Sequence, residues 1–180
     1  QLSKGDLFYP LRKLSSKIGC SIVQIITTKD GSHTLFSQQF NEVYHSRNGA
    51  IQESQHVFIK NGLKYSERAE IKIFEVGFGT GLNALLCILE AEKRNLKIDY
   101  TAIELYPLPI ETIKELNYTE QLGFEYCYGP YHSLHLVRWN EKLPITKNFT
   151  FTKISGSVFN SEIRIPKSEI VFYDAFAPDH

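Results

Sequence analysis

With 180 residues, 42% of them hydrophobic and 22% charged, the chain has the make-up of a single globular domain large enough for a real core. No apolar run approaches the roughly 20 residues of a membrane-spanning helix and the N-terminus shows no signal-peptide pattern, so the reading excludes a membrane partner and points to the cytoplasm. Twenty basic residues balance twenty acidic ones, which gives no pointer to nucleic acid, and Cys20, Cys87 and Cys127 are scattered without metal spacing and read as reduced thiols.

In chain order, residues 1–20 lack a clean period and read as an N-terminal arm. Residues 21–68 form an extension built from a β-hairpin and a helix. The strand Ile22 to Thr28 meets the turn signal Asp30-Gly31, and Ser32 to Phe36 is the return strand. Phe40 to Gly49 reads as a loop, and Ala50 to Leu63 as a helix with Gly62 near its C-terminal cap. Residues 69–180 alternate strand and helix. The predicted elements are a strand Ile71 to Val76, a helix Leu82 to Glu92, a strand Lys97 to Ile103, a helix Pro109 to Leu116 with Pro109 in its first turn, a strand Phe149 to Ile154 and a strand Glu169 to Tyr173. Such alternation predicts an α/β fold with a mostly parallel sheet and helices on both faces. The chain begins at Gln1, contains no methionine and stops at His180 soon after a strand, which predicts a C-terminally incomplete core whose last strands are missing.

Glu75 to Asn83 read E-V-G-F-G-T-G-L-N at the first strand-to-helix junction of this core. Glycines there let a ligand approach the main chain, and the helix behind them offers unpaired N–H groups and a partial positive charge. The spacing is G-x-G-x-G, one residue tighter than the dinucleotide fingerprint. Glu75, Glu104 and Asp174 all fall at carboxyl ends of predicted strands, where open parallel sheets bind ligands. Glu104 is placed to accept hydrogen bonds from ribose hydroxyls, a role methyltransferases and dehydrogenases share. Asp174, which opens D-A-F-A-P, leaves the sheet where it can hold an amine N–H and take up its proton.

Glu75, Gly77, Gly79 and Gly81 resemble motif I of class I S-adenosyl-L-methionine (SAM) methyltransferases, which implies that Rossmann-like fold. The D-G-S-H-T turn, Tyr44 to Ile59 (Y-H-S-R-N-G-A-I-Q-E-S-Q-H-V-F-I), Glu75 to Leu86, A-I-E-L-Y-P-L (Ala102 to Leu108) and D-A-F-A-P together resemble one family, over about Ile22 to Pro178. It is the tRNA 5-methylaminomethyl-2-thiouridine methyltransferase family, comprising the MnmC methyltransferase domain and its stand-alone MnmD-like relatives. The resemblance implies an enzyme that methylates the exocyclic amine of 5-aminomethyl(-2-thio)uridine at the tRNA wobble position, with SAM as donor and tRNA as substrate. It implies Glu75, Gly77, Gly79, Gly81, Asn83 and Glu104 at the cofactor, Asp174 at the amine, and Tyr44, Glu53 and Ser54 in a segment walling the cofactor pocket; on its residues alone Tyr44 suits packing equally well. The chain departs from the pattern at Gly156-Ser157, where an acid usually faces adenine; Ser157 can still hydrogen-bond it, less strongly. No fused flavin oxidase domain is seen.

His132-x-x-His135 lacks a third ligand and predicts no metal site. The aromatic stretch Tyr126, Tyr128, Tyr131, His132 and Trp139 suits a stacking loop for an unpaired base, a lid or core packing alike. Lys142, Lys147, Lys153, Arg164 and Lys167 are a candidate tRNA-backbone surface or a solvated face. Two rival functions stand beside the wobble-uridine reading: a SAM-type transferase for a small-molecule amine, and a non-catalytic module that binds SAM or RNA.

Overall fold

The computed structural model describes residues 23–176. The predicted arm, Cys20, Ile22 and Pro178 lie outside them.

The hairpin is present as β1 (Val23–Thr27) and β2 (His33–Ser37), paired antiparallel in the register Val23 to Ser37 through Thr27 to His33. Asp30 holds the turn and ties it to the next element. Its carboxylate accepts from the Ser32 amide, the Thr28 hydroxyl and, across the chain, the Gln52 amide at 3.0 Å. Burial pushes its pKa up, but these donors outweigh burial and hold the carboxyl below its usual range. The Ser32 hydroxyl accepts from the Ala50 and Ile51 amides, so the hairpin caps the first turn of α1 (Ala50–Ser54).

The segment read as a loop contains a two-residue strand, β3 (Glu42–Val43), which pairs with the end of β2. The predicted helix over Ala50 to Leu63 is also corrected. After α1 the chain widens into a π-helix over Gln55–Lys60, and a 3₁₀ turn follows at Leu63–Tyr65. Gly62 is not a left-handed cap, since its φ is −115°. It is required because a Cβ there would collide with the Phe58 carbonyl.

The second sheet has the strand order β6-β7-β5-β4-β8, with β4 (Glu70–Val76), β5 (Lys97–Glu104), β6 (Lys142–Thr146), β7 (Phe149–Ser155) and β8 (Ile170–Tyr173). β8, β4, β5 and β7 are parallel and β6 is an antiparallel edge. From β4 the chain moves outward to β5 and β7, then returns to β8 on the other side of β4. The crevice at the carboxyl ends of β4 and β8 is therefore a topological switch point, the place where such sheets bind ligands.

α2 (Leu82–Arg94) buries Leu82, Leu85, Leu86 and Ile88 against this sheet. The predicted helix at Pro109 begins one residue later as α3 (Ile110–Lys114), with extended Pro109 as its N-cap. Two further helices follow, α4 (Tyr118–Leu122) and α5 (Phe124–Leu136), and α5 takes up most of the aromatic stretch read as a stacking loop, a lid or core packing. Of its aromatics Tyr131 is core, its hydroxyl donating to the Thr80 carbonyl at 2.8 Å, whereas Tyr126 and Tyr128 are exposed. One apolar cluster runs from Leu35 through Phe58 and Leu85 to Tyr100, Phe151 and Phe172, so hairpin, π-helix and parallel sheet share a core.

Candidate functional site

β4 and β8 lie side by side, and the backbone of the glycine loop passes directly over the end of β8. Gly77 has φ +89°, and a Cβ on it would stand 2.7 Å from the Asp174 carbonyl oxygen and 2.9 Å from the Ala175 nitrogen. Both neighbours are main chain and cannot turn aside. Gly79, at φ +48°, faces the Tyr44 ring, whose Cδ1 a Cβ would meet at 3.1 Å.

These approaches leave a cavity of about 310 Å³ along the carboxyl ends of β4, β5, β7 and β8. That is the lower end of the size range for small-molecule sites. Of the residues singled out in the sequence, Tyr44, Gly77, Gly79, Glu104, Ser157 and Asp174 line it. Sequence reasoning missed its apolar walls: Phe40, Leu105, Tyr106, Val158, Phe159 and Phe176. Phe40 stacks on Phe176 at 4.7 Å between centroids, and Tyr44 meets Phe176 edge-on at 4.8 Å.

Glu104 is 9% exposed and fixed at both oxygens: the Gly79 amide donates to Oε2 and the Tyr106 amide to Oε1, each at 2.7 Å. Each oxygen keeps a lone pair for a ligand hydroxyl. Ser157 uses its hydroxyl to accept from the Phe159 amide at 3.2 Å, which shapes the loop after β7.

The other singled-out residues stand behind or beside this cavity. Glu75 is fully buried beneath it, and Asn83, 2% exposed, lies against it. Asn83 Nδ2 donates to Glu75 Oε1 at 3.0 Å and to Asp174 Oδ2 at 2.7 Å. Burial drives the Glu75 carboxyl well above its usual range, Asn83 opposes this, and the nearby Asp174 and Glu104 charges add to it. The Tyr100 hydroxyl is close enough to Glu75 to affect it, but sits outside hydrogen-bond geometry. Asp174 is pushed up to about 7, by burial first, with Asn83 opposing and Glu53 reinforcing the rise. Gly81 caps α2 and abuts Phe78 and the His135 ring. Ser54 is buried, and its hydroxyl makes no hydrogen bond.

Glu53 accepts from the Ser46 amide at 2.7 Å and lines a second cavity of about 500 Å³. This second space shares Tyr44, Asp174, Ala175 and Phe176 with the first, so the two meet at Asp174. Its remaining wall includes Glu42, His45, Val57 and Phe58. Burial lowers the His45 pKa to about 4, so the ring is neutral, and its Nε2 lies 2.9 Å from the Thr80 hydroxyl.

Elsewhere, His132 and His135 sit on α5 among aromatic rings, and no group of three or more metal-type side chains occurs among the described residues. The basic stretch is partly engaged: Lys142 pairs with Asp99 at 2.7 Å and Lys147 with Glu92 at 4.0 Å. Lys153 is 5% exposed, donates to the His135 carbonyl at the end of α5 and stands 4.5 Å from the centre of the Trp139 ring. Arg164 and Lys167 remain on the surface. No described helix is long and apolar enough to cross a membrane.

No protein-family model matches the chain. Over 161 residues it is 28% identical to a protein of Nitrosospira multiformis named tRNA 5-methylaminomethyl-2-thiouridine biosynthesis bifunctional protein MnmC, covering 80% of this chain and 25% of that one. A protein of the same name from Leptospira interrogans is 30% identical over 162 residues, 81% of this chain and 24% of its own. The chain thus spans about a quarter of the length of the curated relatives it matches. Among solved structures, MnmC2 from Aquifex aeolicus superposes with a TM-score of 0.67 at 28% identity, over 89% of this chain and 52% of that one. The chain is therefore a homologue of one segment of the MnmC proteins, and with its mostly parallel sheet it has the Rossmann-like methyltransferase fold of MnmC2.

Proposed function

We propose that the chain is the SAM-dependent methyltransferase acting on the exocyclic amine of 5-aminomethyl(-2-thio)uridine at the tRNA wobble position. The observation that carries this reading is a single cavity with Glu104 clamped at one strand end and Asp174 at another, joined at Asp174 to a second, acid-lined cavity. The names of the MnmC relatives support the choice of tRNA.

The residues present fit the cofactor. Glu104 offers two oriented oxygens to ribose hydroxyls, and Leu105, Val158 and Phe159 offer apolar faces to a base, with Ser157 beside them. Gly77 and Gly79 give close access to the main chain where a Cβ would intrude. When bound, SAM supplies an electrophilic methyl carbon on a sulfonium, and the electron pair of the breaking C–S bond leaves with sulfur as the N–C bond forms.

The chain's own task is to deliver a neutral amine in line and to exclude water. Asp174 accepts an N–H of the substrate, takes its proton and leaves the nitrogen lone pair free for attack. Glu42 and Glu53 favour entry of the substrate as a cation. Phe40, Tyr44 and Phe176 pack ring on ring and give the space beside Asp174 an apolar wall. Buried free Cys87 and Cys127 suit a cytoplasmic enzyme.

The deciding assay incubates the protein with labelled SAM and tRNA from cells unable to complete this modification. Label in 5-methylaminomethyluridine of the nucleoside digest is the expected result. Labelling of a small amine but not of tRNA would transfer the reading to the first rival, and SAM binding without any turnover to the second. Glu104→Ala is expected to weaken SAM binding by about 10- to 100-fold, the worth of charge-assisted hydrogen bonds to two hydroxyls. Calorimetric titration reads this directly, and unchanged affinity would remove Glu104 from the ribose.

A further inference from the structure

Asn83 was grouped with the cofactor contacts by resemblance, yet it does not line the cavity. Its single amide nitrogen reaches two carboxyl groups from different strands, Glu75 on β4 and Asp174 after β8. No other hydrogen bond to the Asp174 carboxyl occurs among the described residues, and Asp174 lines both cavities. Among the described residues, no lysine or arginine lines either cavity. The titratable groups around Asp174 are Glu53 from α1, Glu75 from β4, Tyr100 from β5 and Tyr118 from α4, with Glu42 and His45 on the shared wall. Burial and the Glu53 charge oppose ionisation of Asp174, and the neutral Asn83 amide favours it.

Resting on the methyl-transfer reading above, we infer that Asn83 is a positioning residue which ties Glu75 and Asp174 into one coupled pair and aims Asp174 Oδ1 at the incoming amine. One amide nitrogen fixes both carboxyls, and the Asp174 charge adds to the rise that burial imposes on Glu75. Glu75 is sealed from solvent, whereas Asp174 lines the cavities. The amine gives its proton to Asp174, which then releases it to solvent. Asn83 Nδ2 lies within hydrogen-bond distance of both carboxyls, an arrangement that favours their ionised forms. Asn83 Oδ1 and Glu75 Oε2 are buried without a hydrogen-bond partner among the described residues.

The test follows carboxyl-carbon NMR signals of the full chain, labelled at Asp and Glu, between pH 4 and 9, with Asp174 assigned by its loss in Asp174→Asn. Asn83→Leu and the smaller Asn83→Ala are each expected to raise the Asp174 midpoint by about one pH unit, since the donor to the charged form is gone. Glu75→Gln, which mimics the protonated member, is expected to leave that midpoint in place. Asp174→Asn, which keeps an acceptor for Asn83, is expected to lower the Glu75 midpoint. SAM affinity of the Asn83 variants is expected to stay within about threefold, as for a side chain outside the cavity. Independent titration of Glu75 in Asp174→Asn would overturn the pairing even if neither Asn83 variant folds. An unmoved Asp174 midpoint with tenfold weaker SAM binding would make Asn83 a cofactor contact. These signals need neither cofactor nor tRNA. A coupled pair in a protein that methylates nothing would overturn the proposed function and leave the pairing standing.

Discussion

Asp174→Ala is expected to lower turnover on aminomethylated tRNA by about 10²- to 10⁴-fold, the range for loss of a general base, while SAM binding changes little. The side chain lines the junction of the cavities, and its contribution lies in holding the amine and its proton. Equal loss of SAM affinity would move Asp174 into the cofactor contacts. The pH dependence carries the same signature. Asp174 is active as the carboxylate and titrates at about 7, so kcat/KM falls as pH drops through that value. Stability runs the other way. The folded group binds a proton up to about 7, whereas the unfolded one releases it near 3.8, so the folded chain holds the extra proton between these values. The destabilisation from ionising Asp174 is full above pH 7 and vanishes toward pH 4. Asp174→Asn should therefore raise Tm at pH 8 and leave it unchanged at pH 4, which a thermal melt at the two values checks.

Gly77→Ala is the smallest substitution with a large expected consequence. The methyl group would have to fit within 3 Å of three main-chain atoms of Asp174 and Ala175, at a φ that L-residues rarely adopt. Left-handed backbone and overpacking together cost about 2–4 kcal/mol. The strain has one outlet: the ends of β4 and β8 separate, which displaces the glycine loop and Asp174 together. Calorimetry should show SAM binding weakened more than tenfold and denaturant melts a lower midpoint, both from one carbon atom. Normal binding in a stably folded Gly77→Ala protein would show that the close approach of these strand ends is dispensable.

The strands and helix around this contact were legible because each has a local signature. β4, β5 and β7 are β-branched or aromatic runs buried in a parallel sheet, β8 is a short run of the same kind at its edge, and α2 opens on glycines and carries a clear apolar face. α5 was not legible. Gly129 and Pro130 interrupt it, aromatic residues occupy both its faces, and Pro130 removes a backbone donor within it. β6 was hidden for a related reason: Pro144 reads as a breaker and is tolerated only because β6 is an edge. The π-helix after Ser54 has no composition of its own, since packing of Phe58 and Ile59 rather than spacing selects it.

At the site, Glu104 and Asp174 could be read from their positions at strand ends. The aromatic and aliphatic walls come from loops that converge only once the sheet has formed. The Asn83 bridge depends on β8 lying beside β4, a pairing between residues nearly a hundred positions apart. Neither periodicity nor motif spacing can disclose such a contact.

Trp139, the sole tryptophan, stands on a third cavity that also takes in Gly79 and Lys153. An indole whose face receives an ammonium at 4.5 Å has an emission sensitive to that charge. Native tryptophan fluorescence therefore comes from one address, in a cavity that shares Gly79 with the cofactor cleft. The chain carries its own optical gauge of what happens at Gly79, with no added dye or engineered label.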